Sequence, residues 1–549
     1  MNSYFKKIIF TALSFLITLP LFAQNTPASS DLDDRPKLVV GIVVDQMRYE
    51  YLTQYWDQFE EGGFKRMVNE GYNFTNTHFN YFPTFTGPGH AAIFTGATPS
   101  VNGIVGNSWY NRSLGRSEYV VEDTSVMTVG GEGDVGKMSP KNLLSTTFTD
   151  ELKTASKHSK IVAISIKDRG AVLPAGHVGD MAFWYDSDTG NFVSSSWYMD
   201  ELPKWVSEFN KEGVAREYSN KTWDLLLDKK EYAVSNTDDT PYEGTFPWEE
   251  KPVFPHELGK EEEGSYRAIR NSPFGNTIAK DLAIKAVKAE NLGSDNATDV
   301  LAIGFSSPDY IGHQFGPHSM ELQDTYIRLD RDLADLFSTL DDQVGQGNYM
   351  VFLTSDHGVV DVPNELIDRG LPGGYFDSET AIDSLKSFLN EAYGEGDWVE
   401  AYTNQQVYMN RILIASEGSW LEDVQYDAAE FLLNFEGVLS TNTASNFKMK
   451  DYSSGLQAMY QRGFMNDRSG DVYIQLKPGW LDSSYRTGTS HGSPFSYDTH
   501  VPMLFFGKGI PQGTNNRKMD ITQLAPTIST LLNISFPSGT EAIPMDFEQ

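Results

Sequence analysis

Five short stretches of this chain are apolar almost without interruption: KLVVGIVV (Lys37 to Val44), SKIVAISIKDR (Ser159 to Arg169), VLAIGFSSPD (Val300 to Asp309), YMVFLTSDHG (Tyr349 to Gly358) and VPMLFFGKG (Val501 to Gly509). A strand with one wet face alternates polar and apolar residues, so runs of this kind fit strands buried on both faces of a parallel sheet. Four of the five end in or near an ionisable group, beginning with Asp45 after the first. In open α/β sheets ligands bind outside the carboxyl ends of the strands, so residues far apart in sequence are gathered at one edge. The runs extend from Lys37 to Gly509, which favours one sheet with insertions over a row of consecutive domains.

Between the runs lie amphipathic helices. Leu322, Tyr326, Leu329, Leu333, Leu336 and Leu340 alternate spacings of four and three and draw one apolar face. NTIAKDLAIKAVKAE (Asn276 to Glu290) reads similarly, and DITQLAPTISTLL (Asp520 to Leu532) reads as a final helix packed on the sheet. The expected fold is α/β, a mostly parallel central sheet flanked by helices, with residues 37–549 as a single domain. Insertions are expected at about 171–273 and about 361–486. The first is rich in aromatic and acidic residues and contains a hairpin, MAFWYDSDTGNFVSSSWY, turning at Asp188 to Asn191. The second reads as mixed helix and strand.

At the N-terminus, Lys6 and Lys7 precede an apolar run from Ile8 to Ala23 that is broken by Pro20. That is the build of a cleavable secretory signal, too short and interrupted for a bilayer span. Residues 1–23 are therefore expected as signal peptide and 24–36 as polar linker, leaving no membrane span after cleavage. The chain has no cysteine, which excludes a lipid-modified N-terminal cysteine, a disulfide and a cysteine nucleophile. An exported chain without disulfides suits a bacterial periplasm, so a periplasmic or secreted location is expected. The formal net charge of -32 argues against a nucleic-acid or anionic-membrane surface. An anionic substrate would have to be attracted locally, by metal ions or a few placed cations.

Chemistry concentrates in YFPTFTGPGHAAIFTGATPSVNGIVGN, from Tyr81 to Asn107. Thr84 and Thr86 stand just before Gly87 and Pro88, and Ala91 to Thr95 reads as helix ended by Gly96. A hydroxyl there is either an ordinary cap or a nucleophile facing the positive end of a helix, where an oxyanion can sit. A nucleophile needs an activator, and three other segments offer one. Asp309 and His313 are four apart in SSPDYIGHQFG, on one side of a helical turn; Asp356 and His357 are adjacent in TSDHG; Asp45 closes the first strand. His491, in GTSHGSPFSYDTH, completes six oxygen and nitrogen ligands, with His500 near enough to compete. Six ligands of this mixture divide into two sites of three, each keeping an open position, as catalytic zinc requires. Two such metals, about 4 Å apart, can clamp the attacking and leaving oxygens of an in-line displacement. His78, His90, His158, His177, His256 and His318 read as structural or packing residues.

In order, VVDQMR, PTFTGPGH, TGATPSVNGIVGN, SIKDRGAVLPAGH, SPDYIGH, TSDHG and TSHGSPFSYDTHVP run through nearly the whole mature chain. With these motifs the sequence resembles the alkaline phosphatase superfamily, most closely the PafA-type alkaline phosphatases, with nucleotide pyrophosphatase/phosphodiesterases as more distant relatives. The resemblance implies Thr86 as nucleophile, forming a covalent phosphothreonine, and Asn107 as a hydrogen-bond donor to a phosphoryl oxygen. It implies two Zn2+ ions, one on Asp309, His313 and His491 and the other on Asp45, Asp356 and His357. Thr84 is then a structural neighbour.

Lys167 and Arg169 bear on the substrate. Two apart, they share one face at a strand's carboxyl end. They are either a solvated strand exit or two cations for phosphoryl oxygens, and a terminal phosphate offers more unbridged oxygen than a diester. In PafA-type enzymes the matching lysine and arginine favour phosphate monoesters, whereas the diesterase relatives lack the pair. No Cys/Ser-X-Pro-X-Arg motif of sulfatases stands around Thr86. The expectation is a secreted alkaline phosphatase acting, as a monomer, on small phosphate monoesters. The alternatives are a phosphodiesterase or phosphonate hydrolase, or a metal-dependent protein that only binds phosphate.

Overall fold

The computed structural model describes residues 35–261 and 265–547, so the expected signal peptide (1–23) and all but the end of the expected linker (24–36) lie outside the described residues. Among the described residues the central sheet has ten strands: β1 (Leu38–Val44), β2 (Tyr72–Phe74), β3 (Thr128–Val129), β4 (Ile161–Ser165), β5 (Met181–Asp186), β6 (Asn191–Ser195), β7 (Asp299–Phe305), β8 (Tyr349–Thr354), β9 (Met503–Gly507) and β10 (Gly513–Asn515). Their spatial order is β10-β2-β9-β8-β1-β7-β4-β5-β6-β3. β8, β1, β7, β4 and β5 are parallel neighbours, so four of the five apolar runs lie side by side with their carboxyl ends at one edge.

The fifth run departs from the expectation, because β9 pairs antiparallel with β8. A strand buried on both faces is apolar whichever way it points, so composition carried no direction here. The consequence is functional: it is the start of β9, preceded by the segment with His491, that arrives at the ligand edge.

Helices cover both faces. They include α1 (Thr86–Thr95), α2 (Arg169–Ala175), α3 (Phe274–Glu290), α4 (Ser307–Phe315), α5 (Met320–Leu340) and α6 (Leu524–Leu531). Strand alternation divides the core between them. Val40, Ile42 and Val44 of β1 pack in one layer with Leu282 of α3 and Leu333 of α5. Val39 and Val43 pack in the other with Ala91 of α1, Ala171 of α2 and Ile528 of α6.

The hairpin inside segment 171–273 does not stand apart from the sheet. β5 continues the parallel row beside β4, and β6 folds back on β5. Its side chains are apolar on both sides, Phe183 and Tyr185 facing one layer and Ala182 and Trp184 the other, so it is stable only between two layers of helices. Segment 361–486 instead builds a four-stranded antiparallel sheet, in the order Val399–Thr403, Gln406–Met409, Val472–Leu476, Val438–Thr443. Leu385, Val407, Val424 and Ile474 form a core of its own. Its first hairpin turns through Asn404 and Gln405, both left-handed at φ 55° and 57° as a two-residue turn requires. The Asn404 amide donates to the Ser108 carbonyl at 2.7 Å, bracing the loop that carries Asn107.

One contact ties β1 to β8. Gly41 lies opposite Phe352, and a Cβ added at Gly41 would stand 2.5 Å from the ring's Cζ. Gly41→Ala should therefore destabilise the fold by about 1–3 kcal/mol, the usual cost of overpacking a core. Denaturant titration checks this, and in the double variant with Phe352→Leu, which withdraws the ring, the two effects should fail to add.

Candidate metal and phosphate site

Each element that reaches the sheet's carboxyl edge delivers one part of a cluster. β1 ends at Asp45, and α1 starts at Thr86. β4 leads through Lys167 to Arg169, the first residue of α2. β7 runs into α4, which carries Asp309 in its first turn and His313 in its last. β8 leads to Asp356 and His357. Asp45, Thr86, Lys167, Asp309, Asp356 and His357 are all buried.

The three histidines are held alike. His313 Nδ1 pairs with the Thr489 carbonyl at 2.8 Å, His357 Nδ1 with Gly358 O at 2.9 Å and His491 Nδ1 with Thr84 O at 2.8 Å. A carbonyl only accepts, so each Nδ1 carries a proton, and in the neutral ring Nε2 is left with a lone pair. All three Nε2 atoms point at carboxylates: His313 and His491 at Asp309 Oδ1 (3.1 and 3.5 Å), His357 at Asp45 Oδ1 (3.4 Å). This is the tautomer and the hold that metal-ligating imidazoles show. Burial keeps His357 neutral, its pKa lowered to about 3, and burial with His357 beside it drives His491 down as well. At His313 burial acts the same way, but Asp309 outweighs it and raises the pKa.

The carboxylates group differently from the expected sets. Asp309, His313 and His491 have ligand atoms within 4.8 Å of one another, but the second compact group is Asp45, Asp309 and His357. Asp356 stands at its margin, with Oδ2 3.6 Å from His357 Nε2 and Oδ1 accepting the Gln46 N–H at 3.2 Å. The cause is Lys167, whose Nζ lies 2.7 Å from Asp45 Oδ2 and 2.5 Å from Asp309 Oδ2 and draws these two carboxylates together. Burial, then Asp356 nearby, still hold Asp45 well above the carboxylate range, while Asp356 is pushed up to about 7 by its burial. Asp309 stays well below that range, His313 and Lys167 overcoming its burial. Asp45 Oδ1 and Asp356 Oδ2 are buried without a hydrogen-bond partner, and Asp45 Oδ2 meets the Lys167 ammonium. Buried carboxylate oxygens short of donors beside three imidazoles are a donor set that could hold a divalent metal ion, and the chain's residues fit one.

Beside this cluster lies an anion-binding face. Thr86 Oγ1 is 3.5 Å from His357 Nε2, 3.5 Å from Lys167 Nζ and 3.4 Å from Arg169 Nη2. The Thr84 hydroxyl is already used, donating to the Ser493 carbonyl at 2.8 Å. Asn107 Oδ1 accepts the Gly87 N–H at 2.7 Å, so that helix-start donor is not free for a ligand, and the NH2 end of the amide is the end available instead. His500 stays out of the cluster: its Nε2 meets the Thr75 carbonyl at 2.9 Å and its ring stacks on Tyr49. His90 is buried, its Nε2 3.9 Å from Asp356 Oδ2.

Two residues here were given no role from the sequence, Gln46 within VVDQMR and Tyr119 outside every motif. Gln46, left-handed at φ 65°, donates through Nε2 to Asp309 Oδ1 at 2.6 Å while its N–H holds Asp356, linking the two carboxylates. Tyr119 accepts from Arg169 Nη1 at 3.0 Å and donates to Asp168 at 2.5 Å, aiming the guanidinium at Thr86. Only the position of Gln46 directly after Asp45 hinted at its role; Tyr119 left no local signal. From the His313 side a cleft of 950 Å3 opens, lined by Tyr310, Thr489, Arg270, Trp248 and Tyr485 among others.

The profile of the Type I phosphodiesterase / nucleotide pyrophosphatase family matches residues 39–499. The chain is 41% identical over 546 residues to a Myroides odoratus protein named calcium-transporting ATPase, covering 98% of each. It is 42% identical over 528 residues to alkaline phosphatase PafA of Elizabethkingia meningoseptica, covering 96% of each. The crystal structure of wild-type PafA matches this fold with a TM-score of 0.90 at 42% identity, over 93% of this chain and 98% of that one. With a profile match over most of its length and this kinship in sequence and fold, the chain belongs to the Type I phosphodiesterase / nucleotide pyrophosphatase family, among its PafA-type alkaline phosphatases.

Proposed function

We propose that this protein is an exported phosphate monoesterase, periplasmic or secreted, working through two zinc ions and a phosphothreonine at Thr86. The observation that carries the reading is the company of Thr86 Oγ1: two cations and an imidazole lone pair within 3.5 Å, with no other hydroxyl so placed among the described residues of the cluster. Asp309, His313 and His491 would hold one zinc, and Asp45, Asp356 and His357 the other, Asp309 lying close enough to contribute to both. Bound zinc would supply the positive charge that lowers the pKa of the Thr86 hydroxyl and of the departing alcohol.

The chain's own residues do the rest. Thr86 gives up its proton to solvent and its Oγ1 forms a bond to phosphorus as the bond to the alcohol oxygen breaks; that oxygen leaves with the electron pair and takes a proton from solvent. Arg169, aimed by Tyr119, and Lys167 neutralise the unbridged oxygens, and the Asn107 amide donates to one of them. Water then attacks the phosphothreonine, releasing inorganic phosphate and restoring the hydroxyl. Lys167 must let go of Asp45 and Asp309 to reach a substrate; zinc, competing for the same oxygens, would release it. The name of the Myroides relative fits the same chemistry in part, since ATP ends in a phosphoryl group with three unbridged oxygens like a monoester. Among the described residues no helix is long and apolar enough to cross a membrane.

Purified protein should hold about two zinc ions per chain, by elemental analysis, and should lose turnover of an aryl phosphate on chelation and regain it with zinc. Thr86→Ala should abolish most of that turnover while Thr84→Ala keeps it, and acid-quenched protein should carry phosphate on Thr86; label on Thr84 would reverse the assignment. Lys167→Ala and Arg169→Ala should each cost about 2–4 kcal/mol on a monoester, roughly thirty- to thousand-fold in rate, and less on its methyl diester. Equal losses on both esters would reject the charge-discrimination reading. Lys167→Met should also destabilise the metal-free protein by about 3–5 kcal/mol, because it leaves two buried carboxylates facing each other. Zinc should then raise the melting temperature more in that variant than in the parent, and an equal rise in both would show that Lys167 is not the carboxylates' counter-ion.

A further inference from the structure

The Nε of Arg270 is buried without a hydrogen-bond partner, and among the described residues no carboxylate forms a salt bridge with it. Its guanidinium lies 4.9 Å from the centroid of the Tyr310 ring, and the same ring has Lys167 Nζ at 5.1 Å. Tyr310 follows Asp309 in α4, so one aromatic ring sets Arg270 at a fixed place relative to the cluster. The adjoining Asn271 amide donates to Gln314 Oε1 of α4 at 2.8 Å and anchors the end of the short helix Arg267–Arg270.

Arg270 faces the 950 Å3 cleft that also reaches His313, Thr489 and Ser490. Within it Phe246 and Trp248 stack at 5.1 Å, and Tyr485 stands exposed at its wall. A cleft of this size holds far more than a phosphate; it fits the organic part of an ester. Its aromatic walls suit a planar group, and its unpaired guanidinium suits an anion, which the net charge of -32 would otherwise repel.

We propose that the cleft is a leaving-group site and that Arg270 binds a second anionic group, a carboxylate or phosphate, on a planar leaving group of the phosphate monoester. The inference rests on the monoesterase reading and adds to it the substrate class. Arg270 touches no reacting atom; it sets which esters are held well.

The test compares phenyl phosphate with 4-carboxyphenyl phosphate, in the zinc-loaded wild type, Arg270→Ala and Arg270→Lys. For Arg270→Ala the loss of kcat/KM on the carboxylated ester should exceed the loss on phenyl phosphate by about ten- to hundred-fold, the worth of one charge-assisted hydrogen bond. Arg270→Lys should recover part of it. In parallel, calorimetry with the product 4-hydroxybenzoate should show binding to wild type that Arg270→Ala weakens by a similar factor. Equal losses on both esters, or 4-hydroxybenzoate binding unchanged by Arg270→Ala, would overturn the assignment. Wild type that turns over neither ester would instead overturn the monoesterase reading, with the calorimetric comparison still deciding whether Arg270 binds the anion.

Discussion

The structure depends on a charge problem set by topology. Four parallel strands end side by side, and their ends carry Asp45, Asp309 and Asp356 into a place without water. Three buried carboxylates cannot all ionise unless cations meet them. In the chain by itself Lys167 is that cation, spanning Asp45 and Asp309, while Asp356 keeps only a backbone donor and a raised pKa. The neighbouring elements are arranged around the same deficit: Gln46 donates to one carboxylate through its side chain and to another through its backbone, His313 shares the charge of Asp309, and burial keeps His357 and His491 uncharged. Such an arrangement is stable only poorly as it stands and strongly with divalent cations in it.

The parallel core was legible because burial on both faces removes the polar alternation, and because four of the five runs ended in or near an ionisable group that a buried strand interior does not tolerate. The residues of the cluster were legible for the same reason, together with the spacing of Asp309 and His313. Direction was not legible: β9 has the same apolar composition as β8 and runs against it. Nor was the join of β5 to β4, since a hairpin's sequence states that two strands pair with each other and is silent about a third.

Within the site, what escaped the sequence was chiefly the residues acting on other residues. Tyr119 aims Arg169 from fifty positions away, and Asn404 braces the Asn107 loop from nearly three hundred. Neither has a spacing or neighbour that announces it, because the contact exists only after the chain has folded. The close pairing of Asp45 with Asp309 is a related case: spacing assigns a residue to an edge, but which oxygen meets which cation in the chain by itself depends on where a long side chain such as Lys167 comes to rest.

The three imidazole anchors have one more consequence. Thr489, Gly358 and Thr84 hold the histidines through main-chain carbonyls, and a carbonyl is the one acceptor that every amino acid supplies. No side-chain replacement at those three positions deletes the acceptor itself; only a change in the path of the loop can. The protonation pattern of the cluster is thus written in the trace of the chain, and the surrounding sequence is free to drift in identity so long as the backbone keeps its course.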